Sequence, residues 1–279
     1  MFDRMRQGWE LTKKAWGVIR AHPRLARLPL IGGVLAFLAV LVLGGSGLAL
    51  AGTTTDAAVA VGVVLMLLGA YVASFVVIYY NVILAAAADE ALQGREPDIG
   101  HARQVARSRI GVIAGWALVS AAMSALFAAL RDRGGALGQL AAGLGGAIWG
   151  LVTFLVVPVL AFEGIGPISA VKRSASLFRE RWGQQVTGNL AIGGISGLVS
   201  FAGVALAVLG VVLVAGGSTA GLAGGALLTI VGVVLAIGGA VFGGATRGVF
   251  GVALYHYVAE DRTVGPFTEA DLASTASRG

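Results

Sequence analysis

Six continuous apolar stretches dominate the chain, at about 29–51, 58–88, 110–130, 137–162, 186–215 and 220–258. A helix that crosses about 30 Å of hydrocarbon needs roughly 20 apolar residues, so each stretch suffices for one crossing. The runs are continuous rather than alternating, which excludes barrel strands. The second and sixth exceed a perpendicular crossing and must tilt, bend or extend beyond the bilayer. Gly243, Gly244 and Gly248 give the sixth a place to bend. The first stretch resembles a signal sequence ending at Ala49-Leu50-Ala51, but it is longer than an ordinary cleaved core and reads as a retained span.

Between the apolar runs the pattern changes to a helical stripe. Phe2, Met5, Trp9, Trp16 and Ile19 share one face of a segment at 1–22, with Arg4, Arg6, Lys13 and Lys14 off it. This is the signature of a helix lying in the membrane interface, with Trp at headgroup depth. Pro23 and Pro29 are expected to end it and turn the chain into the membrane. Before the fifth run, Pro167 opens a second such helix with Ile168, Val171, Ala175, Phe178 and Trp182 on its stripe and Lys172, Arg173, Arg179 and Arg181 as its charge. A weaker version precedes the third run, with Val105 and Ile110 beside Arg103, Arg107 and Arg109.

The expected fold is therefore all-α and polytopic: six transmembrane helices as three hairpins, each preceded by an amphipathic interfacial helix. The units are 1–22 (interfacial helix), 29–88 (hairpin 1), 98–162 (short amphipathic segment and hairpin 2), 167–258 (interfacial helix and hairpin 3) and 259–279 (a polar cytoplasmic tail). The tail reads as a disordered end, with Phe267 and Leu272 as the residues able to dock it.

Composition sharpens this picture. Of 279 residues, 57% are apolar and 12% charged, about half the charge of a soluble domain. The net charge of +6 lies between apolar spans, so it reports topology and attraction to anionic headgroups rather than nucleic acid. Arg131 and Arg133 are the only basic residues assigned to one side; the other eighteen fall on the opposite side or at its helix ends. The positive-inside rule then places both termini in the cytoplasm of a cell whose inner membrane the chain spans. Helices in lipid associate through small residues, and Gly146/Gly150, Gly193/Gly197, Gly221/Gly225, Gly239/Gly243 and Gly244/Gly248 are candidate faces among 44 glycines.

Chemistry is sparse. Cysteine is absent, and His22, His101 and His256 fall in separate segments, so neither a metal centre nor a bound cofactor is expected. No nucleophile and base share a recognisable signature, and no catalytic residue is assigned. Intramembrane polar groups mark function when they occur. Asn81, Pro158 and Arg247 occupy comparable places near the inner end of each hairpin's second helix. They are expected to converge as a cavity or kink, with Glu163 or an anionic lipid headgroup as the partner of Arg247. Pro158 must also free a backbone carbonyl that neighbours satisfy. Trp9, Trp16, Lys172, Arg173, Arg179, Trp182 and Arg247 are the candidate contacts to lipid or to a partner.

The run Val156-Val157-Pro158-Val159-Leu160, then Glu163-Gly164-Ile165-Gly166-Pro167-Ile168, Lys172-Arg173-Ser174-Ala175 and Trp182-Gly183 resembles an uncharacterised prokaryotic family of integral membrane proteins, one of the domains of unknown function. Trp9, Trp16, Asn81 and Ala253-Leu254-Tyr255 fit it as well. The chain is more distantly similar to the membrane domain of some glycerophosphodiester phosphodiesterases. The resemblance implies a six-helix fold and transfers no catalytic residue. The expected role is non-enzymatic: membrane organisation, lipid interaction or scaffolding of a membrane complex, with a membrane-protein partner or a second copy as candidate partner. The alternative is a transporter or channel for a lipid or small amphiphile.

Overall fold

The computed structural model describes residues 2–182, 194–216 and 219–274. All of its regular elements among these residues are helices. Helix α1 spans Phe2–Ala21. The chain then runs through α2 (Arg24–Ala39), a π turn (Val40–Gly44) and α3 (Gly45–Ala51) as one rod. Next come α4 (Asp56–Leu92), α5 (Ile99–Ser108), α6 (Ile110–Arg133), α7 (Gly135–Val152), α8 (Val156–Phe162), α9 (Pro167–Trp182), α10 (Gly194–Ala215), α11 (Thr219–Ala259) and α12 (Glu269–Ser274).

Among the described residues, five segments are long and apolar enough to cross a membrane: Arg24–Ala51, Asp56–Leu92, Ile110–Arg133, Gly135–Phe162 and Gly224–Ala259. Within α10, the described apolar stretch is Val199–Ala215. Only 11% to 33% of each crossing window is buried. Leu41, Val64, Leu118, Leu144, Val212 and Val234 all face outward. In water such a surface would be an aggregation hazard; in lipid it is the required exterior. This is the architecture of a multi-pass membrane protein.

The helices meet through glycine, as association in lipid requires. A Cβ on Gly62 of α4 would lie 2.5 Å from the Gly47 carbonyl oxygen of α3, and one on Gly225 of α11 would lie 2.6 Å from the Gly210 carbonyl oxygen of α10. Gly244 and Gly248 also pack, against Pro29 and Leu84. Gly146 and Gly150 do not: an added Cβ at either would meet nothing within 4 Å, so this expected packing face lies on the exterior. The Gly193/Gly197 face lies outside the residues whose packing is described.

The packed core sits at one end of the bundle. Val82–Ala88 of α4, Leu155–Leu160 around α8 and Ala245–Val258 of α11 supply much of it. The helices α1, α5 and α9 close around this end and, with the first turn of α2, bring Arg20, Arg24, Arg27, Arg103, Arg107, Lys172 and Arg179, all exposed. We refer to it as the basic end.

Three sequence expectations change here. Pro29 does not stop a helix; it lies inside α2, and the chain turns at His22 and Pro23 instead. As the sixth residue of α2, Pro29 lies past the four orphan amides of the first turn and withholds a donor from the Leu25 carbonyl, yet the helix continues through it. The fourth apolar run is two helices, broken at Thr153–Leu155 just ahead of Pro158. The tail is also ordered at least as far as α12: Val264, Phe267 and Leu272 are buried, with Phe267 against Phe250 at 5.9 Å between ring centroids. Those three apolar side chains give a segment of otherwise polar composition its buried anchors.

Candidate functional site

The amphipathic helices turn differently from their aromatic stripes. In α1 the buried face is Leu11, Ala15 and Ile19, while Trp9 is 39% exposed with the Lys13 ammonium 5.9 Å from its ring centre. Trp16 is half-buried and packs on Phe242 of α11 at 4.8 Å, so it is a packing residue rather than a free lipid contact. In α9 the buried face is Ala170, Ser174 and Leu177, and Ile168 stays 58% exposed. Each buried face mixes small residues, which allow close approach, with aliphatic ones such as Leu11, Ile19 and Leu177, while Trp9 and Ile168 are left at the flank. Lys172 and Arg179 are exposed as expected. The side chain of Trp182 lies outside the described residues.

Ser174 has a role that its sequence position did not announce. It is fully buried, donates from Oγ to the Val152 carbonyl at 2.5 Å and accepts from the Leu155 amide at 3.3 Å. It thus bridges the break ahead of Pro158, where the helical ladder is interrupted. Pro158 itself is buried among the core residues of α8, with Gly251 as a neighbour.

Glu163 is the hub of a polar cluster at the basic end. It accepts from Arg173 Nε at 3.1 Å and from the Tyr255 hydroxyl at 3.0 Å. Arg173 thus holds Glu163 through Nε while its side chain stays 38% exposed, and the carboxylate of Glu163 meets Arg173 and Tyr255 rather than Arg247. Phe162 packs on Tyr255 and on His256, at 5.2 and 5.7 Å. His256 is 4% exposed; its Nε2 lies 2.7 Å from Asp89 of α4 and its Nδ1 2.8 Å from Glu260. Two carboxylates facing both ring nitrogens suit a doubly protonated ring. Arg262 closes the group on Glu260 at 3.0 Å. This cluster ties α4, α8, α9 and α11 together. The spacing of His256 and Glu260, one helical turn apart, was its one visible sequence signal.

Two further contacts fasten the periphery. Asp271 of α12 pairs with Lys14 of α1 and accepts from the Thr268 amide and hydroxyl, each at 2.7 Å. Burial opposes the charge of Asp271, but these hydrogen bonds outweigh it and hold its carboxyl below the usual range. Glu90 accepts from the Asp98 amide at 2.6 Å and meets His101 at 2.8 Å, fixing the start of α5.

Asn81 and Arg247 come together, as the sequence suggested, but without Pro158. They line a cavity of about 330 Å3 between α2, α4, α10 and α11, with Pro29, Gly32, Tyr80, Ser200, Gly243 and Gly244 among its walls. A Cβ on Gly32 would lie 2.8 Å from Tyr80 Cβ, so glycine there is what lets α2 and α4 meet behind the cavity. Among the described residues, no acidic side chain lines the space. Among the described residues, neither Asn81 nor Arg247 has a side-chain hydrogen bond or ion pair. Arg247, Gly33, Val77 and Ala240 are exposed, so the cavity is open at this side.

No curated protein matches the chain, the phosphodiesterases of the distant likeness included. The model of a family of unknown function, DUF6159, matches residues 58–265, which takes in Asn81, the Pro158 to Ser174 signature, the Glu163 and His256 cluster and Arg247, and leaves Trp9 and Trp16 outside. The chain belongs to this family of unknown function.

Proposed function

We propose that this is a non-enzymatic inner-membrane protein that binds and organises anionic lipid at the cytoplasmic leaflet, as a platform for a membrane complex. In this reading the chain has six spans in three hairpins, α10 serving as the fifth span. Each hairpin follows an interfacial helix, α1, α5 or α9, and both termini are cytoplasmic. The observation that carries it is the ring of exposed Arg and Lys side chains around the basic end, beside the exposed Trp9 and Ile168. Such a surface gains about 1 kcal/mol per cation near an anionic leaflet. Transport of an amphiphile would call for Asn81, Pro158 and Arg247 around one central space. Pro158 is instead packed in the core, and this weighs against a path.

The test is native mass spectrometry of the protein released gently from its own membrane. Anionic lipid enriched over its bulk share supports the reading. A stoichiometric protein partner with lipid at the bulk ratio contradicts the lipid part and leaves scaffolding alone.

A further inference from the structure

We infer that the cavity at Arg247 is a site for the phosphate headgroup of one anionic phospholipid, a reading that rests on the lipid-binding role proposed above and gives it a location. Four observations converge on it.

The first is charge without a partner. Arg247 has no ion pair among the described residues, Glu163 being taken by Arg173 and Tyr255, and no carboxylate lines the cavity. A guanidinium presents up to five donors in a fork that matches phosphate oxygens. The second is a neutral donor: Asn81, opposite on α4, can add its amide N–H groups to the same oxygens.

The third is depth. Arg247 lies about 42 Å along α11 from Thr219, and Asn81 about 38 Å along α4 from Asp56, at 1.5 Å per residue. Both distances exceed the roughly 30 Å of hydrocarbon, so these groups sit at headgroup level. The contact of Trp16 with Phe242 places α1 only five residues from Arg247 along α11. The fourth is a path for the acyl chains. Phe37 lies one turn deeper than Gly33 and Ile237 one turn deeper than Ala240, and both are exposed and apolar. A headgroup in the cavity would leave its chains along that surface. The volume is at the lower end of the ~300–1,000 Å3 of small-molecule pockets, enough for a headgroup and not for a whole lipid.

The experiment incubates the full chain in detergent with phosphatidylglycerol, with diacylglycerol as a phosphate-free lipid, or with inorganic phosphate, and reads retained mass by native mass spectrometry. One phosphatidylglycerol per chain is expected, and no diacylglycerol. Arg247→Gln should cut retention about tenfold or more, the scale of a lost charge-assisted hydrogen bond. Ala240→Leu should also cut it by filling the mouth, while Arg131→Gln, exposed at the C-terminal end of α6 and outside both the cavity and the basic end, retains that one lipid. Arg247 and Ala240 are exposed, so both variants should melt with the parent. Unchanged retention in Arg247→Gln and Ala240→Leu, with preference for anionic lipid intact, overturns the site and leaves the wider reading standing. Displacement by excess inorganic phosphate overturns the lipid assignment in favour of a free-anion site. Failure of the parent to prefer phosphatidylglycerol at all overturns the wider reading itself.

Discussion

Ser174 and Gly62 show how single residues decide where this chain can bend and where it can pack. Replacing Ser174 with Ala would leave the Val152 carbonyl and the Leu155 amide without their hydroxyl partner at a buried helix break. An unsatisfied buried group costs about 1–3 kcal/mol, so Ser174→Ala should lower the thermal midpoint in detergent, whereas Thr, which keeps the hydroxyl but adds a methyl group, should rescue it only in part. Gly62→Val would push a side chain into the Gly47 carbonyl and the Ala51 amide, and should cost about 1–3 kcal/mol by overpacking. Gly146→Val, which meets nothing within 4 Å, should leave the midpoint unchanged. Equal midpoints for Gly62→Val and Gly146→Val would contradict the packing described. At this scale the sequence was legible where chemistry is scarce. Asn81 and Arg247 stood out because few polar groups interrupt the apolar runs. The choice among 44 glycines was not legible, because which glycine faces a neighbour depends on helix rotation, and that is set by the partner helix.

The helices α1 and α9 were visible as amphipathic elements, with an aromatic and branched stripe read as facing the membrane interface. Which residues pack on the rest of the protein was not legible. The buried faces are built on Ala15 and on Ala170 and Ser174, which permit close contact with α11 and with the α7–α8 break. Arg173 looked like a lipid contact from its place on a basic helix, and only the fold brings Glu163 and Tyr255 to it. The docked tail was the other surprise, and its attachment has a pH dependence that follows from Asp271. A carboxyl held below its usual range stabilises docking fully above about pH 4. That contribution is lost as pH falls through the lower folded value. Protection against hydrogen exchange at 264–272, taken relative to the intrinsic rate at each pH, should therefore fall in acid, and Asp271→Asn should show the lowered protection already at pH 7. Exchange in Asp271→Asn equal to the parent at pH 7 would mean that Phe267 and Leu272 hold the tail without the ion pair.

For the molecule as a whole, packing and hydropathy divide along the long axis. The apolar rods are joined by glycine contacts and left bare toward lipid, while the side chains that pack as a soluble core do so at the basic end. The division follows from solvent: burying apolar surface gains nothing in hydrocarbon but does in water, so a dense core forms where the helices leave the membrane. The long helices α4 and α11 were expected to tilt, bend or extend beyond the bilayer, and their ends at the basic end, Val82–Leu92 and Ala245–Ala259, are much of that core. Everything proposed for lipid depends on this end facing the cytoplasm. The absence of cysteine makes the orientation directly measurable. Single cysteines at Thr54, Asp132, Gly216 and Thr263 would be probed with a membrane-impermeant maleimide on right-side-out and inverted vesicles. The account predicts labelling of positions 54, 132 and 216 from outside and of 263 from the cytoplasmic side only. Labelling of 263 from outside would reverse the orientation, and labelling of 216 on the same side as 263 would deny α10 and α11 their crossings.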